Sequence, residues 1–220
     1  MLIHTCIPSS VNAEEFVDKI AYEVIIEKNQ DVIVTETITL KNKASVKNFT
    51  RVLPKRIAVG GGASGVSYSI NFSLLNDNPC SFSVLDQGDY LSVRLGDAER
   101  SYSGALNYVL QYKLTGALHI AGDSATLRLL FPGKWEFDIE TLELLYRLPP
   151  FMLADSVKTS FTMSNFKVQQ GPTPLPLKWN RLTTENDREV LGLAYRSRIP
   201  ARESMALELT MPASFFNFKS

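Results

Sequence analysis

From Ile20 onward the chain alternates apolar and polar residues with a period of two and is enriched in β-branched and aromatic side chains, the pattern of half-buried strands. Tyr22, Val24 and Ile26 alternate with Ala21, Glu23 and Ile25. After the turn signal Lys28-Asn29-Gln30-Asp31, a second run sets Val32, Val34, Glu36 and Ile38 against Ile33, Thr35, Thr37 and Thr39, which predicts a hairpin. Ten further runs are predicted as strands: Val66 to Leu75, Ser81 to Leu85, Tyr90 to Leu95, Ala105 to Leu114, Thr126 to Phe131, Ile139 to Leu148, Val157 to Val168, Leu175 to Asn180, Glu189 to Arg196 and Met205 to Met211. Gly, Pro, Asn or Asp stands in nearly every gap. Many short strands with frequent turns predict an all-β, antiparallel two-sheet β-sandwich, immunoglobulin-like or jelly-roll-like. No long segment keeps helical spacing, and only Glu14 to Lys19 has room for a turn of helix.

Composition narrows the function. The chain has 220 residues, of which 45% are apolar, enough for a buried core. Lys plus Arg equals Asp plus Glu at 23 each, so no global field draws the protein to nucleic acid. No apolar run is long enough for a transmembrane helix. Two cysteines, Cys6 and Cys80, exclude a disulfide-dense scaffold and a multi-cysteine zinc site, and no cofactor is expected.

Met1 to Ala13 reads like the back half of a secretory signal, although the basic region and most of the apolar region of such a signal are absent. Small residues at Val11 and Ala13 would leave Glu14 as the mature start. A lipidated Cys6 fits less well, because His4 and Thr5 precede it poorly. The expected organisation is therefore a signal-like segment at 1–13, a sandwich domain at 14–212 with a conceivable subdivision near 149–157, and a tail at 213–220.

Candidate chemistry is sparse. Gly60-Gly61-Gly62-Ala63-Ser64-Gly65 lacks the Lys-Ser/Thr end and the helix of a phosphate-binding loop, and reads as an inter-strand loop. Glu136, Asp138 and Glu140 alternate with Trp135, Phe137 and Ile139, which puts three carboxylates on one face of a strand. Neighbours on that face lie about 7 Å apart, a spacing used by inverting glycosidases; the plainer reading is the wet face of an outer strand. His119 sits in a turn-rich segment and is expected to face solvent. Arg51, Lys55 and Arg56 cluster around Pro54 and suit an acidic ligand or a glycan, or else belong to a solvated loop with ordinary ion pairs. Trp135 and Trp179 could each cap a sugar platform, though tryptophan in an alternating run is more often core.

A resemblance adds to these readings. Tyr22 to Ile26 followed by Val32 to Ile38 is similar to a strand, turn and V-x-E-T-I run, and Phe49-Thr50-Arg51-Val52-Leu53-Pro54 is similar to G-I-x-R-x-I-P without its glycine. Leu91 to Asp97 resembles an I-R-I-G-D segment, and Gly104 to Tyr112 a G-x-x-x-Y-x-I-x-Y strand. Leu127 to Trp135 stands where the pattern has L-x-W-N-x-x-G-x-x-W, with Leu130 and Phe131 replacing its first tryptophan and its asparagine. Leu148-Pro149 and Leu207 to Pro212 match in kind. Together these resemble the N-terminal extracytoplasmic domain of YciQ-like bacterial predicted membrane proteins, a domain of unknown function. The resemblance implies an exported β-sandwich, periplasmic or extracellular, whose relatives continue into transmembrane helices. This sequence reaches Phe215-Phe216-Asn217-Phe218 without one, as a secreted form or an excised ectodomain would.

The expected function is a non-enzymatic binding or structural module of the cell envelope with a protein or glycan partner. The alternative is a carbohydrate-active hydrolase using the carboxylates around Glu136 and Asp138.

Overall fold

The computed structural model describes residues 16–46, 48–59, 62–97, 99–131, 137–165, 173–182, 186–201 and 203–216. The strands, in chain order, are β1 (Phe16–Ile26), β2 (Val32–Val46), β3 (Phe49–Pro54), β4 (Arg56–Val59), β5 (Gly62–Gly65), β6 (Ser67–Leu75), β7 (Asn78–Pro79), β8 (Phe82–Asp86) and β9 (Tyr90–Leu95). They continue with β10 (Tyr102–Thr115), β11 (Leu118–Ala121), β12 (Ser124–Phe131), β13 (Asp138–Arg147), β14 (Lys158–Asn165), β15 (Thr173–Pro174), β16 (Asn180–Arg181), β17 (Val190–Tyr195) and β18 (Glu203–Pro212). Short 3-10 turns occupy Ala154–Ser156 and Ala213–Phe215.

An eight-stranded sheet in the order β16-β17-β13-β1-β2-β10-β6-β7 faces a five-stranded sheet, β11-β12-β18-β14-β15, and is joined by a three-stranded sheet, β3-β9-β8. The fold is the all-β sandwich that the alternation predicts. Among the described strands the pairing is antiparallel with one exception: β1 runs parallel to β13. Ring contacts tie the layers together. Tyr22 of β1 meets Phe131 of β12 edge-on at 4.5 Å, Tyr146 of β13 meets Trp179 at 5.3 Å, and Phe49 of β3 stacks on Tyr108 of β10 at 5.5 Å. Trp179 is thus a core tryptophan, as its alternating context suggested; Trp135 lies outside the described residues.

Three expectations are corrected. Phe16 to Lys19 belongs to strand β1, not to a helical turn; a bulge between Val17 and Lys19 buries both Val17 and Ile20, and so imitates helical spacing in the sequence. Leu175 to Asn180 is extended but forms no ladder between Pro174 and Asn180, because Pro176 has no N–H to donate and the Leu177 N–H turns back to the Leu175 carbonyl at 2.8 Å. Its alternation is real nonetheless, for Leu175, Leu177 and Trp179 pack on the core. Finally, Arg51 to Arg56 is not a solvated loop: Phe49–Pro54 forms β3, whose buried positions are Phe49, Arg51 and Leu53, and Arg56 opens β4.

Candidate functional site

Two polar assemblies stand out, one inside the sandwich and one at its edge. The first is built on the inward face of the eight-stranded sheet. Register places Leu144, Tyr22, Glu36 and Leu110 in one cross-strand row, so Glu36 projects from the middle of an apolar face. It is fully buried, and the residue that meets it from the opposite layer is Arg51, 2% exposed. Arg51 grips the carboxylate with two bonds: Nε donates to Oε2 at 2.7 Å and Nη2 to Oε1 at 3.0 Å. The Tyr112 hydroxyl donates to the same Oε1 at 2.6 Å, Arg51 Nη1 donates to the Val52 carbonyl at 2.8 Å, and Tyr22 accepts a longer bond from Nη2 at 3.4 Å. Tyr68 closes the group, its ring 5.6 Å from Tyr112 and its hydroxyl donating to the Pro54 carbonyl at 2.7 Å.

The electrostatics follow from burial. Desolvation is the largest influence on the Arg51 guanidinium and favours loss of its proton, but Glu36 and the surrounding hydroxyls outweigh it, so Arg51 is held above its ordinary value. Burial, reinforced by the Glu36 charge, lifts the Tyr22 and Tyr112 phenols well above the usual phenol range, against an opposing pull from Arg51. Every polar group here is spent on another. The assembly is a clamp between layers with nothing left over for a ligand.

The sequence-nominated cations therefore separate. Arg51 points into the core, Lys55 binds the Asp86 carboxylate at 2.7 and 2.9 Å, and Arg56 is exposed. The Lys55 hydrogen bond, with help from the Gly88 N–H, lowers the Asp86 pKa. Of the acidic trio, Glu136 lies outside the described residues and Glu140 is exposed. Asp138 accepts from Arg198 and, at 2.6 Å, from the Ala201 N–H, which ties the start of β13 to the approach of β18. His119 is exposed on the edge strand β11 rather than in a turn. Among the described residues no group of three His, Cys, Asp or Glu side chains could hold a metal ion.

The second assembly lies where the β6–β7 turn, the segment leading into β8 and the entry to β10 meet. A cleft of about 590 Å³ opens there; in its lining Leu75 is buried, Cys80, Asp97 and Tyr102 are half-buried, and Asn76, Asn78, Ser81 and Arg100 are exposed. Asn76 and Asp77 adopt left-handed backbone conformations, φ 48° and 64°, which asparagine and aspartate tolerate. The Asn76 side chain accepts from the Asn107 N–H at 2.8 Å and fixes this turn to β10. Asp97 accepts from the Glu99 N–H at 2.9 Å, and Arg100 is exposed with no described residue pairing with its guanidinium.

Beside the cleft runs β8, exposed along its whole length. Gln87 N donates to Tyr90 O and Gly96 N to Ser81 O, so in the β8–β9 register the residues bonded to β9 are Ser81, Ser83, Leu85 and Gln87. The N–H and C=O groups of Phe82, Val84 and Asp86 consequently face away from β9, and among the described strands no other pairs with β8. Phe82, Val84 and Leu85 are 38%, 44% and 61% exposed. Within β8 there is no lysine, proline or bulge, the devices usual for an edge that must stay unpaired, and its one charge, Asp86, is paired with Lys55 at the strand's end.

Sequence reasoning missed both assemblies. The signal for the clamp was a lone carboxylate at an inward position of β2 and a lone guanidinium at an inward position of β3. The Asn76-Asp77-Asn78-Pro79 turn was legible only as punctuation.

A β-sandwich with a buried layer-to-layer clamp and an open edge defines a class of domain rather than an activity. Within that class the family is clear: residues 16–203 match the family described as "Predicted membrane protein (DUF2207) N-terminal domain", and the chain belongs to it. Glu36 and Arg51 both fall in the stretches that carry the resemblance. No functionally curated protein is detectably similar in sequence. Among solved structures, a mutant M1 zinc metallopeptidase from Deinococcus radiodurans superposes with a TM-score of 0.54 at 12% identity, over 91% of this chain and 44% of the peptidase. Yeast LTA4 hydrolase with bestatin gives 0.55 at 9% identity, over 88% of this chain and 28% of the hydrolase. The chain thus spans less than half of either protein, and at these identities the likeness shows the fold alone. No helix among the described residues is long and apolar enough to cross a membrane.

Proposed function

We propose that this chain is an extracytoplasmic, non-catalytic binding module of a membrane protein, and that its recognition face is the end of the sandwich where β8 and the cleft adjoin. The observation that carries this reading is β8. An unpaired edge rich in apolar side chains is a liability in a domain with no partner and an asset in one that has one. Membership in a family of membrane-protein N-terminal domains supports placement at a membrane, and the signal-like Met1 to Ala13 supports the outer side. The partner is an envelope protein or glycan. The hydrolase alternative is weakened by Asp138, which is already engaged by Arg198 and the Ala201 N–H.

The test is cysteine labelling in the intact membrane protein. Ser83→Cys, in a background carrying Cys6→Ser and Cys80→Ser, places one thiol on the exposed edge. A membrane-impermeant maleimide should label it in unbroken cells. Labelling only after the membrane is opened would contradict the extracytoplasmic reading.

A further inference from the structure

One feature lies behind the lining of the cleft rather than in it. Tyr108 is fully buried, yet its hydroxyl is without a hydrogen-bond partner. Register sets Tyr108 directly across from Leu75, which lines the cleft, and its electrostatic neighbours are the Cys80 thiol and the Tyr102 hydroxyl, both of which line it too. Burial, with smaller contributions from Cys80 and Tyr102, pushes the Tyr108 phenol up to about 12, so it is a neutral donor at any physiological pH. Buried hydroxyls in folded proteins are nearly always satisfied, and one left unpaired next to three residues of a cleft lining calls for a partner.

The chemistry of the walls narrows what that partner is. Asp97 offers a carboxylate acceptor and Arg100 a guanidinium donor, so the rim carries one charge of each sign and favours neither an anion nor a cation. Asn76, Asn78 and Ser81 add groups that donate as well as accept. A ligand with many hydroxyls, each both donor and acceptor, matches this mixture; a purely apolar or singly charged ligand leaves most of it unsatisfied. Tyr102, half-buried, supplies a ring on which the C–H face of a sugar can lie. The volume of about 590 Å³ falls within the range of small-ligand clefts, about 300–1,000 Å³.

We propose that this cleft is a saccharide-binding site, which takes a short neutral sugar with its hydroxyls on Arg100, Asp97 and the Asn76 and Asn78 amides, and that seating it admits one sugar hydroxyl past Leu75, Cys80 and Tyr102 to the unpartnered Tyr108 hydroxyl behind them. The proposal rests on the binding-module reading and names its ligand class.

The experiment is a titration of the full 220-residue chain, isotopically labelled for amide NMR, with glucose, galactose, N-acetylglucosamine and its disaccharide at millimolar concentrations. At least one sugar should shift amides of residues 75–81 and 99–108 in a saturable manner, while amides around Asp138 stay still. Arg100→Ala, which removes no contact of the fold, should weaken binding more than tenfold. Tyr108→Phe keeps the stack on Phe49 and should weaken it by about three- to tenfold, the worth of one hydrogen bond. The same sugar should slow alkylation of Cys80 in a Cys6→Ser chain. Failure of every sugar to shift these amides, or binding indifferent to both substitutions, overturns the proposal. Either failure leaves the extracytoplasmic reading standing, to be judged by the labelling of Ser83→Cys.

Discussion

Arg51 and Arg100 carry the same guanidinium and have opposite employments. Arg51 is enclosed by Glu36, Tyr112, Tyr22 and the Val52 carbonyl, whereas Arg100 stands at the rim of a cleft with no described residue pairing with it. Burial explains the divergence. A charge taken out of water must have all its bonds satisfied by the protein and is then unable to serve a ligand; a charge left at the rim keeps that capacity and contributes little to stability. Here Arg51 holds two layers together, and Arg100 keeps its guanidinium donors uncommitted to any described residue.

The sharpest way to break the comparison is to remove one half of the clamp. Arg51→Met strands the Glu36 carboxylate in the core and should cost about 3–5 kcal/mol in urea unfolding. The double substitution Glu36→Leu with Arg51→Met should recover most of that loss, since well-packed apolar pairs commonly match buried ion pairs. Tyr112→Phe removes a bond to a charged acceptor and should cost about 1.5–3 kcal/mol by the same measurement. Gly116→Ala acts on the backbone: φ is +81° and an added Cβ would lie 3.0 Å from the Gly65 carbonyl oxygen, so about 1–2 kcal/mol should be lost. Leu85→Lys, on the exposed edge, should move stability by no more than about 0.5 kcal/mol while abolishing any strand-on-strand docking there.

The clamp also sets a pH dependence. Tyr22, Tyr112 and Tyr146 have phenols raised in the folded chain, chiefly by burial. Below the unfolded phenol value of about 10 both states keep these protons and the contribution to stability is complete. Above it the unfolded chain loses protons that the folded chain retains, so stability should fall with rising pH. Unfolding midpoints measured from neutral pH to strong alkali should be flat with respect to these groups and then decline, and Tyr112→Phe should shallow the decline.

Most strands were legible because the sandwich buries alternate residues, and the core positions of β1, β2, β10, β12 and β13 follow that parity. Legibility failed where one physical effect imitated or masked another. The bulge in β1 mimicked a helix, and prolines withheld the ladder from Leu175 to Trp179. Arg51 hid β3, because a charge at an inward position reads as surface until its partner is known. That partner is Glu36, on a different strand and in a different layer; parity marks each as inward, but only the fold brings them together. The cleft was less legible still: its lining comes from the β6–β7 turn, the segment leading into β8 and the approach to β10, and the orphan hydroxyl of Tyr108 has no signature in sequence.

The most direct test of this division of labour is to measure, in one series, the sugar affinity and the urea midpoint of Arg100→Ala and Tyr112→Phe against the parent chain. The account predicts that Arg100→Ala loses binding at an unchanged midpoint and that Tyr112→Phe lowers the midpoint at an unchanged affinity. An Arg100→Ala chain that binds as the parent does, or a Tyr112→Phe chain that keeps its stability and loses its ligand, would contradict it.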